Sequence, residues 1–152
     1  GVSKTKFAPN TSMTRGMLVT VLYRLAKADD TETSTFVDVD KNAYYSIPIA
    51  WASKNGIVKG IGDNKFEPDR SITREELATI IVRYLNQFEI ELEDSMIVST
   101  FVDEQEIASY AKENVKIMQR KGLMTGKNNN QFDPKGFATR AEVATLLMRI
   151  KK

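Results

Sequence analysis

Three arginines stand at the same place in three copies of one phrase. Thr14-Arg15, Thr73-Arg74 and Thr139-Arg140 each lie seven residues beyond a phenylalanine, at Phe7, Phe66 and Phe132. A proline follows each Phe at Pro9, Pro68 and Pro134, and an apolar run with helical spacing follows each Thr-Arg pair. That pattern places each Thr as a helix N-cap and each Arg as the first helical residue. A cation there opposes the helix dipole by about 0.3–1 kcal/mol. Recurrence at three equivalent positions therefore asks for a reason. One is anion binding: a guanidinium beside the N–H groups of a helix start can grip a carboxylate or phosphate at two points. The other is structural: the same arginines could pair with Asp38, Asp103 or the Glu at the third helical position. Spacing alone leaves both open.

The elements that must carry these arginines repeat as a unit. The Phe-x-Pro phrases start 59 and then 66 residues apart, the signature of one supersecondary unit used three times. The second copy is complete. Phe36-Val37-Asp38-Val39 opens it, and a first helix is predicted from Tyr44 to Asn55, closed by Gly56 as its C′ residue. Gly56-Ile57-Val58-Lys59-Gly60 and a turn at Asp63-Asn64 lead to Phe66-Glu67-Pro68. The second helix starts at Thr73, with Glu76 completing a capping box and Ile72 and Leu77 as the hydrophobic staple. The third copy repeats this order: Phe101-Val102-Asp103, a helix from Ile107 to Lys121, Gly122 to Gly126, then Thr139 with Glu142 and the pair Ala138 and Val143. Val143, Ala144, Leu146, Leu147 and Ile150 are expected to face the core. The first copy begins inside the unit, with Gly1 aligned to Gly60 and Gly126 and no first helix before it. Met13 and Leu18 fit its staple, but Met17 replaces the Glu of its capping box. The absent helix predicts an exposed apolar notch, or a neighbouring chain that fills it as a homo-oligomer.

Composition narrows the chemistry. The 152 residues carry 28% charged and 41% apolar side chains and a net charge of +2, an ordinary soluble profile. No basic block suggests nucleic acid. Neither histidine nor cysteine occurs, which removes the commonest nucleophiles, general base and transition-metal ligands. No metal, cofactor or catalytic residue is assigned. No 18-residue apolar run or signal peptide is present, so no membrane insertion is expected, and a secretion signal would lie upstream. Asp38-x-Asp40-x-Asn42 fails as a calcium loop because Ala43 and Ile49 stand where Gly and Glu are needed. Glu75 and Glu76 point about 100° apart on a helix and make a poor glycosidase pair. Glu75 beside Arg74 could repel an anion or hold that arginine. Trp51 reads as core. Tyr44 and Tyr110 occupy equivalent positions, where an aromatic is more often core than a sugar platform. Gly60 and Gly126 could let backbone approach a ligand closely. Of the linkers, Lys27–Thr35 is polar, whereas Gln87–Thr100 is acidic but carries Ile90, Leu92, Met96 and Ile97, which could dock on the helices.

Phe-x-Asp-Val, an aromatic, Gly-Ile-Val-x-Gly, Phe-x-Pro and Ile-Thr-Arg-Glu-Glu together resemble the S-layer homology repeat, and Thr139-Arg140-Ala141-Glu142 matches that family's Thr-Arg-Ala-Glu hallmark. The resemblance covers nearly the whole chain as two and a half repeats (1–28, 36–86 and 101–152) in a single module, residues 1–152. It departs from the pattern at Tyr44 and Tyr110, where Trp is usual, at Met17, and at Glu104 in place of Val. It implies a mainly α fold of helix-loop-helix repeats in a pseudo-threefold arrangement with grooves between them. It implies a non-enzymatic, extracellular module that anchors surface proteins to a secondary cell-wall polysaccharide linked to peptidoglycan, through a negatively charged, pyruvylated sugar. Carried over by position, Arg15, Arg74 and Arg140 are the anion contacts, with Asp38, Asp103, Gly60, Gly126, Tyr44 and Tyr110 as further groove candidates. Because the sequence ends two residues after its last predicted helix, the chain is expected to be the C-terminal module of a larger exported enzyme or surface protein. The rival reading is a helical protein–protein interaction module of a surface-layer complex, indifferent to loss of the arginines.

Overall fold

The computed structural model describes residues 11–95 and 97–151. The expected turn at Phe7 to Pro9, the alignment of Gly1 and the docking of Met96 lie outside them. Five α-helices make up the described fold: α1 Arg15–Leu25, α2 Ser46–Lys54, α3 Arg74–Gln87, α4 Lys112–Arg120 and α5 Arg140–Lys151. Single 3-10 turns form at Glu104–Glu106 and Asn128–Asn130. Among the described residues there are isolated bridges but no strand, so the fold is mainly α, as expected.

The long helices start where their caps put them. Thr14 Oγ1 accepts from the Met17 amide at 3.1 Å, and Thr73 and Glu76 form both halves of the capping box. Thr139 Oγ1 accepts from the Glu142 amide at 3.0 Å. Met13, Leu18, Ile72, Leu77, Ala138 and Val143, the three staple pairs, are all buried. The short helices start later than the sequence suggests. Tyr44 and Tyr45 precede α2, which has no side-chain cap. Before α4 the chain makes a 3-10 turn and then extends at Ile107, which is buried in the core, so the helix begins only at Lys112.

Backbone hydrogen bonds tie the three helix starts into a ring. Met13 N donates to Ala138 O, Ala138 N to Ile72 O, and Ile72 N to Met13 O, at 2.8–3.0 Å. Two residues along the chain a second cycle runs the opposite way round: Arg15 N to Arg70 O, Arg74 N to Gly136 O, and Arg140 N to Thr11 O. The ring seats each long helix against the next unit's loop. α2 then packs on α1, and α4 on α3. Among the described residues no helix packs on the equivalent face of α5. Glu75, Ala78, Thr79 and Val82 of α3 are buried, whereas Ala144, Thr145 and Met148 at the matching places on α5 are exposed, Met148 by 71%. Ala144 and Met148 leave an exposed apolar strip along α5. Ala144 is thus not a core residue, although Val143, Leu146 and Ile150 are. Trp51 is core as read, with Tyr23 edge-on at 5.6 Å. Ile90 and Leu92 dock on the core, whereas Ile97 stays 91% exposed.

Gly56 and Gly122 close α2 and α4 at φ 71°, each in a paired C-terminal turn: Ile57 N to Ala52 O with Gly56 N to Ser53 O, and Leu123 N to Met118 O with Gly122 N to Gln119 O. A Cβ on Gly56 would meet nothing within 4 Å. Substitution there isolates backbone strain from steric overlap. Gly56→Ala is expected to cost about 1 kcal/mol, the left-handed penalty alone, read from a shift in denaturant midpoint at unchanged slope.

Candidate functional site

Two of the three arginines are clamps between units. Arg15 leaves the start of α1 and crosses to the second unit. Its Nε donates to Phe66 O at 2.9 Å, Nη1 to Glu76 Oε2 at 3.0 Å and Nη2 to Lys59 O at 3.3 Å. Arg74 repeats this toward the third unit, donating to Phe132 O at 2.7 Å, to Thr125 O at 2.9 Å and to Glu142. Each guanidinium also lies over the partner ring, 4.4 Å from the centre of Phe66 and 4.8 Å from that of Phe132. Both arginines are buried. The ion-pair reading therefore holds for Arg15 and Arg74, with the capping Glu as counter-charge.

Asp38 and Asp103 do not pair with them. Each spends both oxygens on its own unit's Phe-x-Pro turn: Asp38 accepts from the amides of Phe66 at 2.8 Å and Glu67 at 2.7 Å, Asp103 from those of Phe132 and Asp133, both at 2.8 Å. Glu67 and Asp133 sit at φ 59° and 60°, so these carboxylates hold the strained turns that aim the Phe carbonyls at the arginines. The close approach that Gly60 and Gly126 permit is to Phe36 and Phe101, whose rings would lie 2.7 and 2.9 Å from an added Cβ. Glu75 is buried and neither holds nor faces Arg74. It accepts from the Ala108 amide at 2.9 Å and from Lys135 Nζ at 2.7 Å.

The helix N–H groups are not available to a ligand at α1 and α3, contrary to the expected anion nest. Arg15 N, Gly16 N, Arg74 N and Glu75 N donate to carbonyls of the next unit, and the third amide goes to the capping Thr. At α5, Arg140 N and Glu142 N are likewise taken.

Three clefts remain beside the clamps, each along one long helix. The largest, about 520 Å³, runs along α1 and is lined by Arg140, Arg24, Tyr44, Met13, Met17 and Leu147, among others. The second, about 340 Å³, runs along α3 with Arg15, Gly60, Glu76, Arg83 and Tyr110. The third, about 320 Å³, runs along α5 with Thr125, Glu142 and Arg149. Each of the first two thus takes an arginine from one unit, a helix face from the next and a tyrosine from the third. Tyr44 and Tyr110 are 60% and 53% exposed, so they are cleft walls and not core. Arg24, Arg83 and Arg149 were the residues missed. Each lies nine positions after a Thr-Arg arginine, a recurrence visible in the sequence.

The first cleft differs in charge. Met17 stands where α3 has Glu76 and α5 has Glu142. Arg140 Nη2 lies 3.6 Å from Met17 Sδ, and among the described residues the buried Nε and Nη1 of Arg140 have no hydrogen-bond partner. Tyr44 records this field. Burial and Asp69 push its phenol up, while both Arg140 and Arg24 pull it down. At Tyr110, burial is joined by Glu75 and Glu76 against Arg15 and Arg83.

The sequence matches the S-layer homology domain over residues 35–78 and 100–144, more than half of the chain. The chain belongs to that family. It is 35% identical to an amylopullulanase of Thermoanaerobacterium thermosulfurigenes over 148 residues, 97% of this chain but 8% of that protein. It is 28% identical to a surface-layer 125 kDa protein of Lysinibacillus sphaericus, over 98% of this chain and 12% of that one. It is 26% identical to a cellulosome-anchoring protein of Acetivibrio thermocellus, over 94% of this chain and 33% of that one. The family and its surface-layer members support a cell-surface setting for this S-layer homology chain. No helix among the described residues is long and apolar enough to cross a membrane.

The clamps set stability and its pH dependence. Removing one partner of a buried pair strands the other, so Arg74→Ala is expected to cost about 3 kcal/mol, and Arg74→Lys most of it because a point charge cannot serve three acceptors; urea titration of both variants measures this. Burial pushes the Glu76 carboxyl up, but the Thr73 amide, Arg70 and Arg15 outweigh it and hold the group below its ordinary value. Asp38 is likewise held down by the Phe66 and Glu67 amides against burial. A lowered carboxylate contributes fully above the ordinary range near about 4 and is lost as pH falls through the folded value. Melting temperature should therefore drop in acid below about pH 4, and Glu76→Gln should flatten that drop while lowering the neutral plateau.

Proposed function

We propose that this chain is a non-catalytic anchor that holds a larger protein to a bacterial cell wall. It does so non-covalently, by binding an anionic polysaccharide in the clefts between repeat units set around an approximate threefold axis. The observation that carries this reading is the Arg140 cleft, an open space of about 520 Å³ in which a guanidinium, two of whose nitrogens have no partner among the described residues, shares a wall with an exposed tyrosine. That combination suits an acidic sugar: the guanidinium takes the carboxylate and Tyr44 offers a flat face to the ring. A pyruvylated unit of a secondary wall polysaccharide linked to peptidoglycan has this chemistry. The cellulosome-anchoring and surface-layer relatives support attachment as the role. Arg15 and Arg74 contribute by fixing the clefts' shape, and Asp38, Asp103, Gly60 and Gly126 by holding the loops that line or support them. Tyr110 is the aromatic wall of the second cleft.

A second reading, a helical module that binds other proteins of a surface layer, is favoured by the uncovered α5 face with Met148 exposed. A helix from another chain could complete the first unit there and make a homo-oligomer.

Sedimentation with purified Gram-positive cell walls separates the two. The anchor reading expects binding that is lost when acid extraction strips the polysaccharide from the peptidoglycan. Arg140→Ala should weaken binding about tenfold to a hundredfold, the worth of a charge-assisted hydrogen bond, and Arg140→Lys should weaken it less. Melting temperature should barely move in either variant. Binding that survives extraction, or is unchanged in Arg140→Ala, rejects the reading.

A further inference from the structure

We infer that Met17 is the residue that decides which cleft presents an open cation, and that a glutamate there would close it. The inference rests on the anionic-ligand reading above and adds its selectivity. At the two other interfaces the side chain at this helical position is a carboxylate, and it neutralises the arginine crossing from the preceding unit: Glu76 takes Arg15 at 3.0 Å and Glu142 takes Arg74. At the third interface the carboxylate at this helical position is replaced by the uncharged Met17. Residue 17 already touches the crossing guanidinium, with Met17 Sδ 3.6 Å from Arg140 Nη2. The thioether is a poor acceptor, so the nitrogen that Glu76 and Glu142 take at the other interfaces gains no carboxylate here, and Nε and Nη1 have no partner among the described residues.

Two consequences set the ligand class. First, Arg24 lines the same cleft, and Arg140 sits without the carboxylate that its two counterparts have, so the cleft is cationic where the α3 cleft is mixed. Second, Met13, Met17, Val21, Val143 and Leu147 make the remaining wall apolar. A ligand that suits both carries a carboxylate set beside a non-polar substituent or sugar face. A neutral glycan would leave the buried guanidinium nitrogens desolvated and unpaired, which disfavours it. The other two clefts already hold an internal carboxylate against their arginine, and an incoming anion must displace it.

The test substitutes Met17→Glu, with Met17→Gln as the neutral control of the same shape. Wall polysaccharide and its carboxyl-reduced form are titrated against each, melting curves are recorded, and phenylglyoxal modification of each arginine is mapped by peptide mass spectrometry. In the unaltered chain Arg140 should be modified faster than Arg15 and Arg74, and the reduced polysaccharide should bind weakly. Met17→Glu should melt higher, slow Arg140 modification to the rate of the two clamped arginines, and lose affinity about tenfold to a hundredfold. Met17→Gln, which offers an acceptor but no charge, should lose less affinity than Met17→Glu and leave Arg140 more reactive than in that variant. The inference is overturned if Met17→Glu binds as tightly as the unaltered chain, melts lower or fails to fold, or if Arg140 is no more reactive than Arg15 and Arg74. Failure of the unaltered chain to bind walls rejects the anchor reading instead, and the reactivity and melting comparisons still decide the role of Met17.

Discussion

A guanidinium taken out of water must find a counter-charge and acceptors for its five N–H groups, and the architecture is organised around that demand at two interfaces. Arg15 and Arg74 can be buried only because three features of the following unit converge on them: a Phe carbonyl, a carbonyl of the glycine loop and the glutamate of the capping box. Each needs its own support. The Phe carbonyl is aimed by a left-handed turn, which is held by the Asp of Phe-x-Asp. The loop carbonyl lies next to a glycine that admits the Phe of the same phrase. Glu76 is oriented by Thr73, the cap of its helix. The scattered letters of the repeat are thus one electrostatic arrangement, spread over two units.

Burial of this kind is weakly stabilising as a sum but strongly intolerant of partial loss. That asymmetry explains how one interface can differ so much by one side chain. Glu76 serves Thr73, Arg70 and Arg15 at once. Where Met17 stands in the equivalent place, the helix is kept and Arg140 Nη2 lies against sulfur instead of a carboxylate.

What could be read from the sequence was local. Thr caps, staples, the two C′ glycines and the Asp-Asn turn depend on residues within five positions of one another, and all appear where expected. What could not be read was which groups meet across units. Whether an arginine faces Glu76 or open solvent depends on a contact 61 residues away. The occupancy of the helix N–H groups depends on carbonyls of the next loop, so a free anion nest looked available where none exists at α1 and α3. Tyr44 and Tyr110 look like core residues until the third unit's position shows them to be cleft walls. The late start of α4 follows from burial of Ile107, a tertiary preference that overrides helical periodicity. Arg24, Arg83 and Arg149 were legible in principle and lay beyond the phrase that drew attention to the repeat.

The ring of backbone hydrogen bonds has a topological consequence. In an open row of repeats the outer units have one neighbour each and fray first. Here the last unit donates to the first, Arg140 N to Thr11 O, as the first donates to the second and the second to the third. Such a closed cycle has no outermost member. Tension applied through the two ends of the chain reaches a contact between first and last units, Met13 N to Ala138 O, that must break before either can peel away. Force is then borne by the cycle as a whole, and yielding is a single event in place of a sequence of small ones.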